Sequence, residues 1–169
     1  IKGMTSGGTS VPPSLVKELH DLFGVWIQIV YGQTESSPVI TLAWADDSLD
    51  NLTNSIGQPL PNIEVSIRNP KTNKILEVGE IGEICSRGYN TMLEYHQNPE
   101  ASKETIDSDN WLHTGDLGVM DSQGYVRISG RVKEMIIRGG ENIYPKEIEN
   151  ILLEHEAISE VAIVGIPDK

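Results

Sequence analysis

Apolar residues recur along this chain with three different spacings. Leu15, Val16, Leu19, Leu22 and Phe23 repeat as one face of a helix. Ser10-Val11-Pro12-Pro13 reads as its entry, with proline tolerated in the first turn, and Gly24 as its stop. Val25 to Val30 is a short, mostly apolar run and predicts a buried strand leading into Tyr31-Gly32-Gln33-Thr34-Glu35. Helix, strand and loop in that order predict a parallel α/β unit, in which ligands sit at the carboxyl ends of the strands.

From about Ile56 the spacing changes. Ile63, Val65 and Ile67 alternate with polar residues, Asn69 to Asn73 reads as a turn, Ile75-Leu76 follows, and Ile81 to Ser86 predicts another strand. Short strands separated by turn residues predict an antiparallel sheet or a small β-barrel. Pro99 to Thr105 predicts a short helix, and Tyr125 to Ser129 and Val132 to Ile137 predict two strands. Pro145 opens a second amphipathic helix with Ile148, Ile151 and Leu152 on one face, and Val161 to Val164 predicts a last strand. One helix and two strand pieces after Arg131 are too few to close a core of their own.

Composition narrows the partners. The 169 residues have the length of about one domain. Thirteen basic against 25 acidic residues leave a net charge of −12, which argues against nucleic acid and anionic membrane as general partners. The balance inverts locally. Residues 127 to 146 carry Arg127, Arg131, Lys133, Arg138 and Lys146 against Glu134 and Glu141, a net +3. A single cysteine, Cys85, excludes an internal disulfide framework and a multi-cysteine metal site. No apolar run has the ~20 residues of a membrane-spanning helix. A cytoplasmic location is the expectation, with mitochondrial or peroxisomal ones as alternatives.

Four polar clusters could carry chemistry. Thr5 to Ser10 is rich in Gly and Ser but lacks the lysine of a phosphate-cradling loop, so it reads as a turn. Tyr31 to Glu35 combines an aromatic ring, a hydroxyl and a carboxylate that suits Mg²⁺, though an ordinary capped turn would look the same. Trp111-Leu112-His113-Thr114-Gly115-Asp116 reads as a glycine turn. Alternatively, Asp116 offers two acceptor oxygens to adjacent sugar hydroxyls, with His113 structural. The basic island from Gly130 to Asn142 reads either as a solvated edge strand or as a hinge, with Gly139-Gly140 allowing a tight turn.

Taken in this order, Tyr31-Gly32-Gln33-Thr34-Glu35, Thr114-Gly115-Asp116 and GRVKEMIIRGGENIYPKEIE (130 to 149) resemble the adenylate-forming (AMP-binding) superfamily over essentially the whole chain. Its members include acyl-CoA synthetases, luciferases and peptide-synthetase adenylation domains, and GGENIYPKEIE is most similar to fatty or medium-chain acyl-CoA synthetases. The resemblance implies an α/β fold with a β-barrel. Residues 1–131 would be the carboxyl-terminal part of the large lobe, and residues 132–169 the hinge and the start of the small α+β lobe. It implies ligation of a carboxylic acid, a fatty acid in kind, to CoA through an acyl-adenylate, with ATP, Mg²⁺ and coenzyme A. A carrier-protein thiol as acceptor, or a non-catalytic nucleotide-binding module, are the alternatives.

The resemblance also implies roles for residues. Ser6, Gly7 and Gly8 would lie by the adenine and acyl pocket, and Tyr31 and Gly32 at the adenine. Thr34 would bond phosphate, Glu35 would hold Mg²⁺, Asp116 would bind the ribose hydroxyls, and Arg131 would contact the ribose or phosphate. Lys133 would be the hinge, and Gly139, Gly140 and Glu141 would line the path of CoA. The family's lysine-ending phosphate loop would precede Ile1, and its catalytic lysine would lie beyond Lys169. The 169 residues alone are therefore expected to be inactive.

Overall fold

The computed structural model describes residues 1–8, 11–153 and 155–166. Helix α1 (Pro13–Phe23) and strand β2 (Ile27–Tyr31) form as expected, and strand β1 (Met4–Gly7) before them pairs parallel with β2 to make a β–α–β unit. Gly24 ends α1 in the left-handed conformation at φ 68°, and its N–H donates to the His20 carbonyl. After a 3-10 turn at Thr34–Ser36 come β3 (Thr41–Leu42), α2 (Leu49–Asn54) and β4 (Gln58–Pro59), completing a sheet of order β1-β2-β3-β4.

The second sheet is antiparallel. It contains β5 (Ile63–Arg68), β6 (Gly82–Gly88), β7 (Leu112–Met120) and β8 (Val126–Arg131), in that order, with helix α3 (Pro99–Thr105) between β6 and β7. A 3-10 turn at Val132–Glu134 leads to the hairpin β9 (Ile136–Arg138) and β10 (Glu141–Ile143), then to α4 (Pro145–Leu153).

Each sheet has its own core. Val16, Ile27, Ile29, Ala43 and Leu52 pack together under the first, and Ile67, Ile84 and Val126 under the second. Ile56 touches both, and backbone bonds from Ile56 N–H to the Val126 carbonyl and from Val126 N–H to the Gly57 carbonyl tie the sheets together. Tyr31, at the carboxyl end of β2, packs against the second core.

Several expectations are corrected. Among the described residues the second sheet is open, with β5 and β8 as its edges, and no barrel closes. Thr5 to Gly7 belong to a strand rather than a turn, because β1 can pair with β2 (Thr5 with Gln28, Ser6 with Ile29) where no local pattern showed it. Thr9 and Ser10 lie outside the described residues. Ile75 makes only an isolated bridge to Arg68. Val132 to Ile137 is not one strand, since Val132–Glu134 turns and only Ile136 onward pairs. Val161 to Val164 forms no strand. The apolar face of α1 is buried only at Val16, while Leu15, Leu22 and Phe23 are exposed, as are Ile148, Ile151 and Leu152 on α4.

Candidate functional site

One loop and one distorted strand build the site. The loop leaves β2 at Tyr31. Gly32 sits so tightly under the following segment that a Cβ there would run into the Pro38 carbonyl. Gln33 and Ser36 cap the 3-10 turn reciprocally: the Gln33 N–H donates to Ser36 Oγ at 3.0 Å, and Ser36 Oγ–H donates to the Gln33 carbonyl at 2.8 Å. Thr34 is exposed and Glu35 half-buried at the head of that turn.

The distorted strand is β7. Glu83 pairs with Leu117 and Cys85 with His113, so Ile84 alone stands opposite Thr114, Gly115 and Asp116. The surplus residues form a bulge, and a bulge re-aims side chains. Three bonds hold its shape. Thr114 Oγ1 donates to the Ile84 carbonyl at 2.7 Å, the Asp116 N–H donates to Thr114 Oγ1 at 3.2 Å, and the Gly115 N–H donates to Glu83 Oε1 at 3.0 Å. Gly115 takes φ 75°, which glycine adopts without strain. The expected glycine turn is thus corrected to a kink inside a nine-residue strand.

The kink brings Asp116 to Tyr31. The Tyr31 hydroxyl donates to Asp116 Oδ2 at 2.9 Å, and Arg131 Nε lies 3.4 Å from Asp116 Oδ1. Arg131 is the register partner of Asp116 on β8, and its side chain is 68% exposed. Burial pushes the Asp116 carboxyl above its ordinary range, against the pull of the Tyr31 hydroxyl and Arg131. Burial, then the Asp116 charge, pushes the Tyr31 phenol up as well, so it stays a donor.

Behind the kink lies a polar network. His113 Nδ1 is 2.8 Å from Glu83 Oε2, and its Nε2 is 3.6 Å from Asp107 Oδ2. The bond to Glu83 outweighs burial and raises the His113 pKa. Cys85 Sγ is 3.5 Å from His113 Nδ1, and burial holds the thiol protonated by pushing its pKa up. Glu83, Cys85 and His113 are the one group of potential metal donors gathered among the described residues. Their atoms already satisfy one another or the Gly115 N–H, so they brace the kink.

Of the residues expected at a site, Tyr31, Asp116 and Arg131 are in direct contact. Gly32, Thr34 and Glu35 belong to the same loop as Tyr31. Ser6 and Gly7 end β1 beside Ile29 and Val30, at the matching carboxyl edge, and Gly8 follows with φ 81°. Gly139 and Gly140 form the β9–β10 turn, with φ 61° and 91°, and are exposed together with Glu141. No hydrogen bond or ion pair among the described residues joins that hairpin to the Tyr31–Asp116 pair. Lys133 sits in the 3-10 turn directly after β8.

Sequence reading missed Glu83, Asn90 and Tyr95. Asn90 Nδ2 donates to the carbonyls of Ser36 and Val39, each at 2.9 Å, and the Tyr95 hydroxyl donates to Glu35 Oε1 at 2.6 Å. A glutamate inside the otherwise apolar run Ile81 to Cys85 was the available cue for Glu83. Asn90 and Tyr95 carried none, because their partners are 51 to 60 residues away.

The description of the AMP-binding enzyme family matches residues 1–96, more than half of the chain. Over 162 residues the chain is 47% identical to YngI of Bacillus subtilis (strain 168), which bears the name of an acyl-CoA synthetase, covering 95% of this chain and 30% of YngI. It is 38% identical over 169 residues to the mitochondrial medium-chain acyl-CoA ligase ACSF2 of Bos taurus, covering 99% of this chain and 28% of that protein. Among solved structures, the o-succinylbenzoate CoA synthetase MenE of Bacillus subtilis, in complex with its acyl-adenylate intermediate, superposes with a TM-score of 0.87. Identity there is 34%, over all of this chain and 34% of MenE. ATP-bound MatB of Rhodopseudomonas palustris gives a TM-score of 0.88 at 33% identity, over 98% of this chain and 32% of MatB. The chain therefore spans about a third of the length of the proteins it matches.

Proposed function

Since the chain belongs to the AMP-binding enzyme family, we propose that it is part of an AMP-forming acid–thiol ligase acting on a medium-chain or other apolar carboxylic acid. In the first step the acid's carboxylate attacks the α-phosphorus of ATP, and pyrophosphate leaves. In the second, the CoA thiol attacks the acyl-adenylate and AMP leaves. The likeness to YngI and ACSF2 favours CoA over a carrier-protein thiol.

The contact of Tyr31 with Asp116 carries this reading. Each Asp116 oxygen has one protein neighbour, Tyr31 on Oδ2 and Arg131 near Oδ1, and keeps lone pairs for two adjacent ribose hydroxyls. The Tyr31 ring, fixed at its hydroxyl end, offers a face to the adenine. The exposed Arg131 guanidinium can follow the charge on ribose or phosphate, and the Thr34 hydroxyl can donate to a phosphate oxygen.

Glu35 fits a magnesium ion. Its Oε1 takes the Tyr95 hydroxyl, while no protein bond among the described residues reaches Oε2. Mg²⁺ commonly takes one or two carboxylates, completing its shell with water and substrate phosphates. When bound, the ion would neutralise charge on the phosphates. Ser6 to Gly8 would border the adenine and acyl pocket from the end of β1.

In this proposal residues 1–131 close the large lobe and residues 132–169 begin the small one, with Lys133 at the hinge. The Gly139-Gly140-Glu141 turn, apart from the Tyr31–Asp116 pair here, would meet CoA only after the small lobe swings. The 169 residues alone would lack donors that the reaction needs, and one such donor is typically worth ~10²–10³ in rate.

The test uses the longer protein that carries this chain, with a medium-chain fatty acid, ATP, Mg²⁺ and CoA. Acyl-adenylate, then acyl-CoA and AMP, are the expected products. Absence of any adenylate across a series of carboxylic acids overturns the reading. The purified 169-residue chain should make no acyl-CoA under the same conditions, and steady formation would overturn that part.

A further inference from the structure

One short segment grips the Glu35 loop at four points. Asn90 donates both amide hydrogens to the Ser36 and Val39 carbonyls, the Met92 N–H donates to the Glu35 carbonyl at 2.8 Å, and the Tyr95 hydroxyl donates to Glu35 Oε1 at 2.6 Å. The first three bonds end on backbone and suffice to place the loop. The fourth ends on the tip of a side chain, so its effect is on where the carboxylate points. Its length is that of a charge-assisted O–H···O⁻ bond. Tyr95 is itself held, because its N–H donates to Ser102 Oγ at 2.9 Å and that hydroxyl donates to the Asn98 carbonyl at 2.8 Å.

We infer that Tyr95 is a positioning residue for Glu35: its hydroxyl holds one carboxylate oxygen so that the other is presented to a nucleotide-bound divalent cation. This rests on the reading of Glu35 as the metal ligand. A free glutamate loses several rotatable bonds of freedom when it takes up a metal, whereas a tethered one has lost them already. Partners that orient metal-ligating side chains typically change metal affinity 10–100-fold when removed. Tyr95→Phe deletes the hydroxyl alone and leaves the ring and the Ser102 bond in place.

The readout is Mn²⁺ binding. The longer protein is saturated with α,β-methylene-ATP, and free Mn²⁺ is followed by electron paramagnetic resonance. Tyr95→Phe should weaken Mn²⁺ binding about 10-fold or more, with metal-free AMP affinity within about twofold of the parent. Tyr125→Phe is the control. It deletes an equivalent hydroxyl–carboxylate bond, 2.7 Å to Asp47 Oδ1, away from Glu35, and should leave Mn²⁺ binding unchanged. Unchanged Mn²⁺ affinity in Tyr95→Phe overturns the inference, and so does an equal loss of metal-free AMP binding, which would mark a merely structural role. If the parent itself binds no Mn²⁺ with the nucleotide, the metal role of Glu35 fails, and the inference with it.

Discussion

The Tyr31 hydroxyl and Asp116 Oδ2 are 2.9 Å apart although 85 residues separate them in the chain. The bond joins the end of β2 in the mixed first sheet to a bulge in the antiparallel second one. It exists because Ile84 faces three residues of β7, which takes Asp116 out of register with β6 while it stays paired with Arg131 on β8. Loop and bulge are thereby locked into one surface.

Asp116 should trade stability against binding. Its folded carboxyl holds a proton more tightly than the unfolded one, whose ordinary value is 3.8. Stability therefore falls as pH rises from 3.8 through the folded pKa, and the ionised form is a cost at neutral pH. Asp116→Asn should leave Tm at pH 7 unchanged or higher while weakening AMP binding at least tenfold. Paired thermal melts and calorimetric titrations check both, and a lower Tm with intact AMP affinity would contradict the assignment.

His113 should give the opposite pH signature to a paired carboxylate. Its pKa is raised above 6.5 chiefly by the bond to Glu83, with the charges of Glu83 and Asp107 adding and burial opposing. Its stabilisation is complete below 6.5 and is lost as pH rises through the folded value. Asp107, which also receives bonds from the Trp111 and Asp109 N–H groups and Asn73, has a lowered pKa despite burial and loses its contribution only in acid. Denaturant titrations from pH 6 to 9 should show the parent declining, with His113→Gln flat across that window.

Gly32→Ala should be severe for its size. The added methyl meets the Pro38 carbonyl, which is backbone and cannot move aside cheaply. Overpacking of this kind typically costs about 1–3 kcal/mol. The strain falls on the loop that carries Thr34 and Glu35. Nucleotide affinity should drop further than in Gly3→Ala, where the new Cβ meets nothing within 4 Å. Equal affinities in the two variants would show that the approach of Gly32 to the Pro38 carbonyl is slack.

Lys133→Pro tests the hinge proposal in the longer ligase. Lys133 lies in the 3-10 turn that joins β8 to the hairpin. Proline restricts φ to about −65° and removes an N–H. Adenylate formation should survive better than thioester formation, measured as separate half-reactions. Equal loss of both would count against a hinge at this position.

Features that depend on near neighbours were legible in the residues alone. Helical spacing and Gly24 placed α1, alternation at Ile63, Val65 and Ile67 placed β5, and Pro99 opened α3, because periodicity and caps act within a few residues. The sequence also marked Tyr31, Glu35, Asp116 and Arg131 as a set, through motifs and their order. The folded chain was needed to see that Thr5 to Gly7 is a strand, that the second sheet stays open, and that Thr114 to Asp116 is a bulge rather than a turn. It alone revealed Glu83, Asn90 and Tyr95 as the supports of the site. Strand pairing, register and hydrogen bonds across 32 to 85 residues are set by which distant segments meet. No local pattern of apolar and polar positions encodes that meeting.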